Sequence, residues 1–232
     1  MSREVPMSFY RQADVVKIAR ELLGKSLFTE SRGVVTGGII TETEAYAGVT
    51  DKASHAYGGR YTERTKIMYR EGGCAYIYLC YGIHSLFNVV TNIEGIPDAV
   101  LIRGLMPTTG IEVMLERRGM KKAGPDFCKG PGKVSKALDI HYSHSGLLLS
   151  AASALNNETG MFEKTATDEN PPCKLHPTNL IKLLTDEMKI WIEENDRLIT
   201  DGDILVSPRI GVDYAEEDAL RPYRFELKTK TF

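Results

Sequence analysis

Between Ser26 and Leu105 the chain offers strand-like runs at Ser26–Glu30, Val34–Tyr46, Cys74–Tyr81, Leu86–Asn92 and Ala99–Leu105, and no helical pattern separates any two of them. Neighbouring parallel strands need long, usually helical crossovers. The one long connection, Ala47–Arg70, is rich in Gly, Thr and charge and reads as an ordered loop. This order favours an α+β fold over a doubly wound sheet. Asp14 is placed to cap a helix over Val15–Leu23, with Val15, Ile18, Ala19 and Leu22 on one face and Gly24 as its stop. Ser31-Arg32-Gly33 reads as a turn, Gly37-Gly38 as a bulge, and the stretch around Gly82 as a hairpin connection. Thr108 or Thr109 is expected to cap a helix through Glu116, and Gly132–Leu138 to form another short helix. Strand-like runs return at Lys189–Glu193, Ile204–Val206 and Tyr223–Leu227.

At 232 residues, 42% apolar and 26% charged, the chain has ordinary globular composition and enough length for a real core. We expect one domain over 1–232, with a surface insertion at about 155–184, where Asn156-Asn157, Gly160 and Pro171-Pro172 interrupt the pattern. No apolar stretch approaches a membrane span, and Met1–Arg11 lacks the apolar core of a secretory signal. The cysteines at 74, 80, 128 and 173 form no C-x-x-C pair. Together these point to a reduced protein, cytoplasmic and nucleoid-associated in a prokaryote or nuclear in a eukaryote, with a monomer as the default state.

The formal net charge of −2 argues against a protein that coats nucleic acid. The charge is uneven, however. Arg117, Arg118, Lys121, Lys122, Lys129, Lys133 and Lys136 cluster in one stretch, and Arg60, Arg64, Lys66 and Arg70 in another. Either cluster fits a solvated face or a polyanion-binding face.

Strand alternation puts Ile40, Glu42, Glu44 and Tyr46 on one face. That face is either solvent or a pocket; in a pocket, a carboxylate beside an aromatic ring becomes a tuned base. Tyr76 and Tyr78 share another strand face, which β-propensity alone explains. Tyr81, Ile83 and His84 fall at the hairpin tip, a poor place for such groups unless they insert into something. Arg103 and Asn88 interrupt apolar strands and need partners if buried. His141 and His144 have a spacing that suits a metal, but no further ligand completes a set. Phosphate-loop, serine-hydrolase, dinucleotide and zinc-deaminase motifs are absent.

Several motifs stand in order: Leu22-Leu23-Gly24, Glu42-Thr43-Glu44-Ala45-Tyr46, His55 with Gly58-Gly59-Arg60, Thr62 and Arg64, Tyr76-Ile77-Tyr78 with Tyr81-Gly82, Asn88, Ala99–Arg103, and Gly130-Pro131-Gly132-Lys133 with Ala137-Leu138. Together they resemble the alkyladenine (3-methyladenine) DNA glycosylases. The match is dense from about 20 to 140 and weaker from Ile190 through Arg209-Ile210-Gly211-Val212 to Arg224-Phe225. The resemblance implies a mixed α/β domain round a curved antiparallel sheet with a protruding hairpin. It implies a base-excision repair enzyme that flips alkylated or deaminated purines from double-stranded DNA and hydrolyses the N-glycosidic bond, leaving an abasic site. Carried over by position, Glu44 is the general base and Arg103 holds the water and a phosphate near it. Tyr46, His55 and Tyr78 wall the base pocket, Asn88 gates it and Tyr81 fills the gap in the duplex. Arg60, Arg64 and Lys133 are expected on the DNA backbone, with binding that weakens as salt rises. This route calls for no metal and no organic cofactor, and no lysine nucleophile. A non-catalytic reader of distorted DNA would leave Glu44 dispensable, and a nucleoside hydrolase would have no need of the hairpin tip.

Overall fold

The computed structural model of the protein describes residues 3–151 and 188–228. The expected insertion at 155–184, and Cys173 within it, lie outside the described residues. Strands β1 (Ser26–Ser31), β2 (Val34–Tyr46), β3 (Ala75–Cys80), β4 (His84–Thr91), β5 (Asp98–Thr109), β6 (Lys189–Glu193), β7 (Ile204–Ser207) and β8 (Arg224–Leu227) form one curled sheet whose ladders are all antiparallel. Its main path is β3-β4-β5-β2-β1-β6. Long β2 pairs with β5 along one edge, and with β1 and then β8 along the other. The α+β expectation and the strand runs hold.

Helix α1 (Met7–Tyr10) is a single turn, too short to leave a periodic signal. Helix α2 (Val15–Glu21) follows Asp14, whose carboxylate accepts from the Lys17 amide at 2.9 Å. Helices α3 (Ile111–Arg118) and α4 (Pro131–Ala137) pack beside the sheet. The core joins Ile18, Leu22, Leu27, Phe87, Val100, Ile102, Met114, Val134 and Phe225, so every layer contributes apolar side chains.

Two expectations need correction. Neither Thr108 nor Thr109 caps α3: β5 runs through both, and the cap is Gly110 at φ 65°. A Cβ there would press on the Val35 carbonyl, so the turn into the helix needs glycine twice over. Ile40 also leaves the face of Glu42 and Glu44. Register shifts on either side of Glu42, added to the expected one at Gly37/Gly38, break the strict alternation. Ile40 packs into the core with Ala45, while Glu42 and Glu44 both turn to Arg103.

The β3–β4 hairpin closes through Tyr81, Gly82 and Ile83, with the Ile83 amide donating to the Cys80 carbonyl at 3.1 Å. Tyr81 sits at φ 51° and Gly82 at φ 69°. Left-handed backbone is unusual for a tyrosine. It aims a side chain that is 92% exposed away from the sheet.

Candidate active site

Residues directly opposite across a sheet share a face. The register aligns Tyr76 with Asn88, Asn88 with Leu101, and Leu101 with Glu44, a row across four strands. Two residues further along their strands, Tyr78 and Arg103 join the same face. A cavity of about 260 Å³ opens on it, lined by Tyr46, His55, Tyr76, Tyr78, Asn88 and Arg103, with Ile210, Val212 and Tyr214 from the chain after β7. Tyr81 lines its mouth.

Glu44 is completely buried and stands behind Tyr46, Arg103 and Ile210 rather than forming the lining itself. Its Oε1 accepts from the Ile210 amide at 2.8 Å, and its Oε2 from the Tyr46 hydroxyl at 2.9 Å and from Arg103 at 3.3 Å. Burial lifts its pKa above the ordinary carboxylate value, against the pull of Arg103, the Ile210 amide and the Tyr46 hydroxyl. The result is a carboxylate that is both held and made more basic.

His55 and the tyrosines form one aromatic wall. The ring centroids of His55 and Tyr78 lie 4.5 Å apart, edge to face, and those of Tyr76 and Tyr78 lie 5.7 Å apart. The Arg64 guanidinium can only donate, and it sits 3.0 Å from His55 Nε2. Nε2 therefore carries the lone pair, and Nδ1–H donates to the Tyr76 hydroxyl at 2.8 Å. Burial, reinforced by the charges of Arg64 and Arg60, pushes the imidazole down to about 4, so His55 is neutral at physiological pH. Asn88 is buried and its amide donates to the Tyr76 and Leu86 carbonyls at 3.1 and 3.2 Å.

The basic clusters divide. Arg64 is solvent-exposed yet lies 4.8 Å from the Tyr78 ring centre, against the pocket wall. Arg60 is exposed on the same loop, while Lys66 pairs with Glu63 and Arg70 donates to the Gly146 carbonyl. Arg117 ties α3 to Thr36 and the Ala137 carbonyl, Arg118 donates to the Phe127 carbonyl, and Lys129 pairs with Glu226. Lys133 lies in the first turn of α4, where Gly132 meets the His84 ring of the hairpin and Pro131 lines the cavity. The His141 and His144 side chains complete a capping box round one 3-10 turn.

The sequence reading missed the support beneath Tyr46. Arg209 and Asp51 form an ion pair with both side chains fully buried. The Arg209 guanidinium lies 4.8 Å from the Tyr46 ring centre and 5.3 Å from that of Tyr223, and also donates to the Ala45 and Asp218 carbonyls. Asp51 accepts from the Ala47 and Ala53 amides, fixing the loop that carries His55. The pair thus fastens the Ile210 amide to Glu44 and the Tyr46 ring to its place. No local pattern marks Asp51; Arg209 stood out only inside a run matched by resemblance.

A carboxylate held behind aromatic walls, beside an exposed hairpin tip, has the form of a base-recognising hydrolytic site. A family model for methylpurine-DNA glycosylase matches residues 8–171. A protein of Chlamydia felis, provisionally named a 3-methyladenine DNA glycosylase, is 40% identical over 227 residues, 97% of each chain. Proteins under the same name in Bacillus cytotoxicus and Clostridium acetobutylicum are 36% identical over 237 residues and 37% over 228, covering 99% and 95% of this chain and 98% and 92% of their own. The chain belongs to the methylpurine-DNA glycosylase family.

Proposed function

We propose that this protein removes alkylated purines from DNA by direct hydrolysis, with Glu44 as the base. As a methylpurine-DNA glycosylase it works in base-excision repair. The finer course is our inference: the whole chain acts as one monomeric unit that swings the damaged nucleotide out of the duplex into the tyrosine-walled cavity. What carries this reading is the position of Glu44, buried and basic directly behind Tyr46. Attack at the sugar carbon passes through an oxocarbenium-like state, and a carboxylate there both stabilises positive charge and takes a proton from water. Arg103 and Glu44 Oε2 are the groups at hand to hold that water. The ring faces of Tyr46 and Tyr78 attract a purine made cationic by alkylation, adding on the order of 1–2 kcal/mol where desolvated. Asn88 screens what enters, and Arg60, Arg64 and Lys133 face the backbone. In a bacterium such as the relatives come from, the substrate is chromosomal DNA in the cytoplasm.

The test is release of free base from duplexes each carrying one defined lesion, with alkali to reveal the abasic site. We expect release from alkylated duplexes and none from the matching free nucleosides; activity on nucleosides alone would overturn the reading.

Tyr81 is the side chain placed to fill the space the flipped nucleotide leaves. Tyr81→Ala is expected to weaken binding to a lesion duplex by about 1 kcal/mol or more, the scale of one lost stacking contact. An equilibrium titration giving an unchanged Kd would remove Tyr81 from that role.

A further inference from the structure

Arg103 meets Glu44 through one nitrogen at 3.3 Å, a little longer than the usual N–H···O bond. Its better bond runs from Nε to Glu42 Oε1, at 3.0 Å. The same oxygen accepts from Arg224 Nε at 2.6 Å. Arg224 is fixed in turn from the far side, donating to Ser207 Oγ at 3.0 Å and Glu226 at 2.6 Å. Glu42 is therefore buried between two arginines, and it lines a second cavity of about 300 Å³, away from the aromatic one.

We propose that Glu42 is a positioning residue for the excision reaction: it anchors Arg103 by Nε, so that the guanidinium presents one edge to Glu44 and cannot close on it as a bidentate pair. The proposal rests on Glu44 being the base. A free arginine beside a buried carboxylate turns its fork to it, filling both oxygens and lowering the basicity that catalysis uses. With Nε committed to Glu42, a lone pair on Glu44 stays open to the Tyr46 hydroxyl or to a water. The bulges flanking Glu42 keep it on this face, where plain pairing with Ile40 in the core would have turned it over.

The charges facing Glu44 are those of Glu42, Arg103, Arg209 and Arg224, and the titratable rings are Tyr46 and Tyr214. Of these, Glu42 is the anion. Glu42→Gln removes that anion and leaves Arg103 Nε only a neutral, weaker acceptor, so Arg103 is held less firmly, and both changes make Glu44 easier to ionise.

The experiment is the pH dependence of single-turnover base release from an alkylated duplex, together with the lesion-duplex Kd, for wild type, Glu42→Gln, Glu42→Asp and Glu44→Gln. For Glu42→Gln we expect the acidic limb to move down by at least about half a pH unit. We expect its plateau to fall at least about tenfold, with Kd within about twofold of wild type. Glu42→Asp keeps the charge on a shorter arm, so its limb returns toward the wild-type pH while its plateau stays low. A limb that stays put or moves up in Glu42→Gln, or a Kd that weakens in step with the rate, overturns the proposal. Should Glu42→Gln not fold, Glu42→Asp decides alone: a wild-type plateau overturns it, and a lowered plateau with unmoved Kd supports it. An active Glu44→Gln enzyme refutes the base assignment beneath it; an inactive one beside an unmoved Glu42→Gln limb refutes only the role of Glu42.

Discussion

Glu44→Gln is expected to keep its binding to lesion DNA while losing most of its base release. The amide has nearly the shape of the carboxylate but cannot take a proton from water, so excision falls by on the order of 10²–10⁴, the contribution of a positioned base. Binding survives because the aromatic wall and the Tyr81 tip are untouched. The substitution has a local cost: Glu44 accepts from three donors, and an amide nitrogen must face one of them. Single-turnover excision measured beside Kd separates the two effects, and wild-type release by this variant would end the assignment. With Glu44 as the base, the wild-type enzyme is expected to show the matching signature in pH. The base works ionised, and burial raises its pKa, so activity is lost as pH falls through a midpoint above the usual carboxylate range.

Asp51→Asn is expected to be the most destabilising of the substitutions considered. Both members of the Asp51–Arg209 pair are sealed from water. Neutralising Asp51 leaves a buried guanidinium without its counter-ion, a change that costs about 3–5 kcal/mol. For a chain of this size that corresponds to a fall in Tm of roughly 6–20 °C. The same change frees the segment bearing Ile210, so residual activity drops beyond the loss of folded protein. Asp51→Asn combined with Arg209→Met, which removes the stranded charge, regains part of the lost Tm. A Tm for Asp51→Asn within two or three degrees of wild type, on the scale of about 1 kcal/mol, would show that water or a rearranged partner replaces the carboxylate.

These two residues mark the boundary of what a linear reading reaches. The pairing of Glu44 with Tyr46 was legible because it is local: a period of two set them on one strand face, while the choice between solvent and pocket came only with the family resemblance. The shared strand face of Tyr76 and Tyr78 was legible for the same reason, but Tyr78 entered the pocket only through the resemblance and the place of Tyr76 in the lining was not read; the Tyr81 tip was legible because Gly82 announces a turn. Ile40 was misplaced because alternation extrapolates through a strand and cannot see a register shift that exists only in the pairing of β2 with β5. The α3 cap was misplaced because β5 outlasts its apolar run, ending through Pro107, Thr108 and Thr109 against Gly37 and Gly38. Asp51 left no trace because its partner is 158 residues away. Arg224 was visible as part of a matched run, but its grip on Glu42 spans 182 residues and depends on β8 docking beside β2.

The separation of Ile210 from Glu44, 166 residues, has a consequence during synthesis. A nascent polypeptide that has left the ribosome only as far as β5 already owns Glu44 and the tyrosines at 46, 76 and 78. It has no amide to grip the acid, no guanidinium under Tyr46, and a bare edge on β2 where β8 belongs. Contacts so distant along the chain form late. The surroundings of Glu44 are therefore completed only when the segment carrying Arg209, Ile210 and β8 has been made and has docked beside β2.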